Sequence, residues 1–234
     1  MRNLNRLSSA ARQSGGFTLV ELLVVIGIIA ILAGVALGPI TTGIRKARES
    51  ACMQTTRTLA LAEFQYANDN NNYPDGADAG ALCQEMITGN YISDPTILRI
   101  TGGSAVVPTT AGTVAQANVD YNFMGMNGTG TPSTIGINSS APDSIPLAWS
   151  PNGVSTVAVA TAVDFTNGVG LFGKDGFAVA YKNNNAFFRT PQSSGTTTPA
   201  FPGPNKAIFI DNFETSLTAP TGDTYGIRTG ASGN

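Results

Sequence analysis

The stretch "GFTLVELLVVIGIIAILAGVALGP", Gly16 to Pro39, contains one charged residue, Glu21, and no other charge follows until Arg45. As a helix, residues 17–38 would extend roughly 33 Å, the thickness of a bilayer's hydrocarbon core. A carboxylate inside such a span is costly and ordinarily has a partner. No lysine or arginine lies within two helical turns of Glu21. The partner is expected to come from elsewhere.

The flanks narrow the choice. Residues 1–16 carry Arg2, Arg6 and Arg12 and no acidic residue. That basic leader predicts a cytoplasmic N-terminus and an exported head, although Arg45, Lys46 and Arg48 beyond the span blunt the asymmetry. A secretory signal peptide cut near Ala36 or Gly38 is a poor reading. The apolar stretch exceeds a usual signal core, and Pro39 would follow the cut directly. Cleavage between Gly16 and Phe17 instead creates a new α-amino group four residues from Glu21. Amine and carboxylate could meet within one helix, or across two chains, where they would set an axial step between subunits.

On these residues, "GFTLVELLVVIGIIAIL" resembles the signal of type IV prepilins, shared by type IV pilins and the pseudopilins of type II secretion. The matching positions are Gly16, Phe17, Thr18, Leu19, Val20 and Glu21. The resemblance implies that a prepilin peptidase cuts after Gly16, that Phe17 is then N-methylated, and that Glu21 guides subunit assembly. It further implies a bacterial inner-membrane protein with a single span and a periplasmic or extracellular head. Its implied partners are the peptidase, other pilin or pseudopilin subunits, the assembly platform with its ATPase, and the bilayer.

Beyond the span the chain reads as an amphipathic continuation of the helix over residues 39–70 and a β-rich head over residues 71–234, after a leader at 1–16 and a span at 17–38. The expected fold class is α+β, with a long N-terminal helix packed on a small antiparallel sheet carrying long loops. Pro39 predicts a kink or local melting. A stripe through Ile40, Ile44, Ala47, Ala51, Thr55, Leu59, Ala62 and Tyr66 predicts the inward face. The helix should stop within "YANDNNNYPDG", and a second helix should span Ala79–Thr88, ended by Gly89 and Asn90. Expected strands are Asn118–Met124, Ile145–Trp149, Val157–Val163, Phe177–Tyr181, Ala186–Phe188 and Ala207–Ile210. The hairpin should turn at Asn183–Asn185. Segments 101–117, 127–142, 190–205 and 215–234 read as loops, the last partly disordered.

The remaining chemistry is sparse. With no histidine, Ser-His-Asp and Cys-His catalysis and the commonest zinc ligand are absent. A net charge of −2 gives no reason to expect a nucleic-acid partner. Cys52 and Cys83 are the only cysteines. An exported head permits a disulfide between them, and two buried thiols are the other reading. Trp149 reads as core or interface packing. No cofactor is expected. The resemblance raises calcium, because major pseudopilins usually carry a site built from C-terminal loop carboxylates. Asp211, Glu214 and Asp223 could imitate it, against the alternative of solvated loop charges. "PLAW" at Pro146–Trp149, followed by the hairpin, is similar to the C-terminal pattern of large pseudopilin-like families, although asparagines stand where their turn usually has Asp-Gly-His.

The expected function is therefore structural, not enzymatic: a subunit of a type II secretion pseudopilus. A type IV pilin for adhesion, motility or DNA uptake is the alternative. A membrane-tethered binding or enzymatic head is the rival from a different class.

Overall fold

A computed structural model describes residues 16–108, 112–127, 137, 141, 143, 145–151, 162–164, 171–190, 206–208 and 224–231. The chain divides into two compact units at Arg45/Lys46.

In the first unit, helix α1 (Leu19–Asn70) begins directly after Thr18 and is long and apolar enough to cross a membrane, by length and composition. Its apolar side chains from Leu19 to Ile44 are exposed. The helix continues through Pro39 without melting, which leaves a kink as the remaining expectation there. Proline removes the donor that would reach the carbonyl of Val35. One turn on, the hydroxyls of Thr41 and Thr42 donate to the Gly38 carbonyl at 2.9 and 3.2 Å, adding side-chain bonds beside the weakened turn.

The second unit holds the rest of α1, which stops at Asn70, inside the asparagine-rich run. Asn71 takes a left-handed φ of 62°, the conformation that ends helices and that asparagine tolerates. The inward face differs from the expected stripe. Glu49, Cys52, Thr56, Leu59, Ala60, Ala62, Glu63 and Ala67 are buried, whereas Ala47 and Ala51 are exposed. The face is rotated because Glu49, Thr56 and Glu63, seven residues apart, point inward. A stripe built on apolar positions passes over such residues.

Helix α2 (Ala79–Thr88) has the expected bounds. Asp78 caps its start by accepting from the Ala81 N–H at 2.9 Å, and Asn90, at φ 62°, follows its end. The strands are β1 (Asn122–Asn127), β2 (Pro146–Trp149), β3 (Ala162–Asp164), β4 (Phe177–Tyr181), β5 (Ala186–Arg189), β6 (Lys206–Ile208) and β7 (Thr224–Arg228). A five-stranded antiparallel sheet has the order β5-β4-β2-β1-β7, and β3 pairs with β6 separately. This is an α+β, pilin-like layout.

Two expectations change here. β1 starts later than predicted because Gln116–Asn118 forms a 3-10 turn, in which the Asn118 side chain accepts from the Ala115 N–H at 2.8 Å. Segment 215–234 is not all loop: β7 pairs with β1 from Phe123↔Arg228 to Asn127↔Thr224. "TYGIR" has too few apolar residues to announce a strand, so pairing with β1 decides it. Residues 157–161 and 209–210, at the ends of two expected strands, lie outside the described residues.

β2 and β4 are buried at every position. Alternate side chains point to opposite faces of a sheet. Leu147, Trp149, Phe177 and Val179 accordingly join one apolar cluster with Ala60 and Ala67 of α1, while Ala148 and Ala178 join another with Leu59 and Cys52 of α1 and with Leu82 of α2. Trp149 is fully buried, as its core reading requires. The β4–β5 hairpin turns where predicted. Asn184 takes φ 60°, and the Asn183 side chain accepts from the Asn185 N–H at 3.1 Å.

Candidate functional site

Gly16, Phe17 and Thr18 are non-helical, so the Gly16–Phe17 peptide bond precedes the first turn of α1. Phe17 is 78% exposed, and the space where a side chain on Gly16 would begin is open. A peptidase needs a reachable bond, and this one is exposed and lies outside the helix.

The helix start is built by Thr18 and Glu21. The Thr18 carbonyl accepts from the Leu22 N–H at 3.3 Å, the first intrahelical bond. The Thr18 hydroxyl accepts from the Glu21 N–H at 3.2 Å. In return the Glu21 carboxylate accepts from the Thr18 N–H at 2.9 Å and from its hydroxyl at 2.7 Å. This is a capping box: a threonine before the first helical residue, a glutamate three positions on, and otherwise orphaned N–H groups satisfied in both directions. The carboxylate also lies at the positive end of the helix dipole. Glu21 thus has a local partner as well as any partner in another chain. The pattern Thr-x-x-Glu before an apolar run was the signal for it.

Both Thr18 bonds end on Glu21 Oε2. Among the described residues no donor reaches Oε1, which leaves room for a further cation without dismantling the cap.

The other candidate residues are placed as follows. Cys52 and Cys83 are buried thiols in one apolar cluster, with no disulfide between them. Burial pushes the Cys52 thiol up to about 11 and the Cys83 thiol up as well, which suppresses the nucleophilic thiolate of both. Asp211, Glu214 and Asp223, the calcium candidates, lie outside the described residues.

Sequence reasoning missed a buried polar cluster in the head. Arg228 of β7 donates to Asp75 through Nε to Oδ1 at 2.7 Å and through a terminal nitrogen to Oδ2 at 3.1 Å. Both side chains are 4% exposed. A Cβ at Gly125 would fall 2.5 Å from Asp75 Oδ1 and 2.6 Å from Arg228 Nε, so glycine is what lets β1 pass the pair. Residues 153 positions apart give no sequence spacing from which to infer such a pair.

No curated protein and no solved structure matches the chain. Residues 11–37 match the family model of the prokaryotic N-terminal methylation motif. The matched segment takes in the Gly16–Phe17 bond, the Thr18–Glu21 cap and the first part of the apolar helix. It supports a type IV pilin-like protein with a single N-terminal membrane anchor.

Proposed function

We propose that this chain is a structural subunit of a type II secretion pseudopilus. Its leader, residues 1–16, is removed by a prepilin peptidase on the cytoplasmic side, and Phe17 is N-methylated. Residues 17–38 hold the subunit in the inner membrane until an ATP-driven platform adds it to a filament, with the head on the periplasmic side. The observation that carries the filament reading is the Thr18–Glu21 cap at the start of a membrane-length helix, directly after an exposed Gly16–Phe17 bond.

The choice of pseudopilin over pilin rests on Pro146–Trp149 as a strand paired with β4, and on the β4–β5 hairpin that follows. That arrangement agrees with the similarity to large pseudopilin-like families. Deleting the chain from its host tests the choice. Loss of exoprotein export, with surface motility and DNA uptake intact, is expected. The reverse pattern assigns the chain to a type IV pilus.

Processing gives a sharper prediction. A β-branched side chain at Gly16 should block the peptidase, so Gly16→Val should accumulate as the full-length precursor. Immunoblotting of membranes should show a single slower band and no mature form. A normal mature band from Gly16→Val would mean that the cut lies elsewhere.

A further inference from the structure

Glu63 lies on the inward face of α1 and is fully buried, and among the described residues neither carboxyl oxygen has a hydrogen-bond partner. A carboxylate in that condition would have exchanged its hydration for nothing, whereas the neutral acid gives up far less. The surroundings do not favour its charge. From the loop after α1 come Asp75 and the Tyr73 hydroxyl, and from α2 comes the Cys83 thiol. Arg228 of β7 is engaged by Asp75, and Glu85 of α2, which accepts from the Asp75 N–H at 3.4 Å, adds a further carboxylate beside that pair. β1 and β2 contribute no titratable side chain within their spans. β4 contributes only Tyr181, buried in the cluster that holds Ala60 and Ala67.

We propose that Glu63 is a proton-controlled latch: as a neutral carboxylic acid it lets α1 seat against the sheet and α2, and loss of its proton to solvent loosens the head. Burial first, and then Asp75, hold its proton affinity well above that of an ordinary glutamate. In the unfolded chain Glu63 ionises near the ordinary glutamate value, about 4.3. Between that value and its raised folded value, the folded state binds a proton that the unfolded state has lost. The contribution of Glu63 to stability is therefore fully present below about pH 4.3 and falls as pH rises, until the folded-state value is passed. One proton of difference lowers the folding equilibrium constant about tenfold per pH unit within that window.

The chain's single tryptophan, Trp149, is buried in the cluster that includes Ala60 and Ala67, on either side of Glu63 in α1. Its fluorescence reports opening of this part of the head. Urea titrations of the full-length protein in detergent micelles, at pH 5, 6, 7 and 8, should compare wild type with Glu63→Gln. The amide keeps the shape and cannot ionise. The ratio of the variant's folding constant to that of wild type should grow with pH, by up to about tenfold per unit. A ratio that stays constant from pH 5 to pH 8 overturns the proposal. If Glu63→Gln does not fold, the carboxyl carbon resonance of Glu63 in 13C-labelled wild type decides. A proton kept above the pH at which an ordinary glutamate loses it supports the latch, and ionisation at the ordinary glutamate value overturns it.

Discussion

Glu21→Ala should reach the membrane at normal levels, be cleaved, and yield no filament. Removing a carboxylate from a span favours insertion, so a loss at that stage is not expected. Under the proposed function, what disappears is the acceptor for the Phe17 ammonium of a neighbouring subunit. That cation would then lie in an apolar helix bundle without a counter-charge, and the register between subunits would lose its marker. Glu21→Asp keeps the charge with a shorter reach and should assemble partially. Glu21→Gln should resemble alanine, because the demand is for charge. The capping box supplies the control. Thr18→Ala removes both Thr18 hydroxyl bonds of the cap but leaves the carboxylate. If pairing between subunits is the role, Thr18→Ala frays the first turn and still assembles. The readout is the sheared filament fraction beside total membrane protein. Equal losses from Thr18→Ala and Glu21→Ala would assign Glu21 to the cap alone.

The largest stability effect is expected at the Asp75–Arg228 pair. Truncating Asp75 to alanine removes the carboxylate that is bonded to the Arg228 guanidinium, in a site where both side chains are 4% exposed. Breaking a buried ion pair from one side costs roughly 3–5 kcal/mol. Domains of this kind are stable by about 5–15 kcal/mol, so the variant should unfold at a much lower urea concentration or fail to accumulate. The double variant Asp75→Leu/Arg228→Met removes both charges and should recover most of the loss, since apolar replacements of buried pairs are often near neutral. Trp149 fluorescence in urea compares the three proteins. A single variant with an unchanged midpoint would show that the pair does not tie β7 to the loop after α1.

The sequence was most legible where local rules act alone. The start of α1, the Asn-rich stop at Asn70, the bounds of α2 and the Asn183–Asn185 turn all follow from caps, left-handed asparagines and apolar runs. It was least legible where distant segments decide. β7 is a strand because β1 offers it a register, and Arg228 is buried because Asp75 stands opposite. The inward face of α1 went astray for a related reason. Glu49, Thr56 and Glu63 look solvent-facing by residue type, and only the packed head shows what lies over them. At the candidate site, Gly16, Phe17 and Glu21 were read from their pattern. The Thr18 cap lies in the same six residues, and its sign is a hydroxyl, which a pattern of charges does not reveal.

As a prepilin-like precursor, the chain should be cut between Gly16 and Phe17. Mass spectrometry of the N-terminal peptide, taken from wild-type protein extracted from membranes, tests it most directly. The expected mature chain begins at N-methylated Phe17, with residues 1–16 absent. A mature N-terminus at Pro39, or a chain that retains its leader in cells with an active prepilin peptidase, would contradict it.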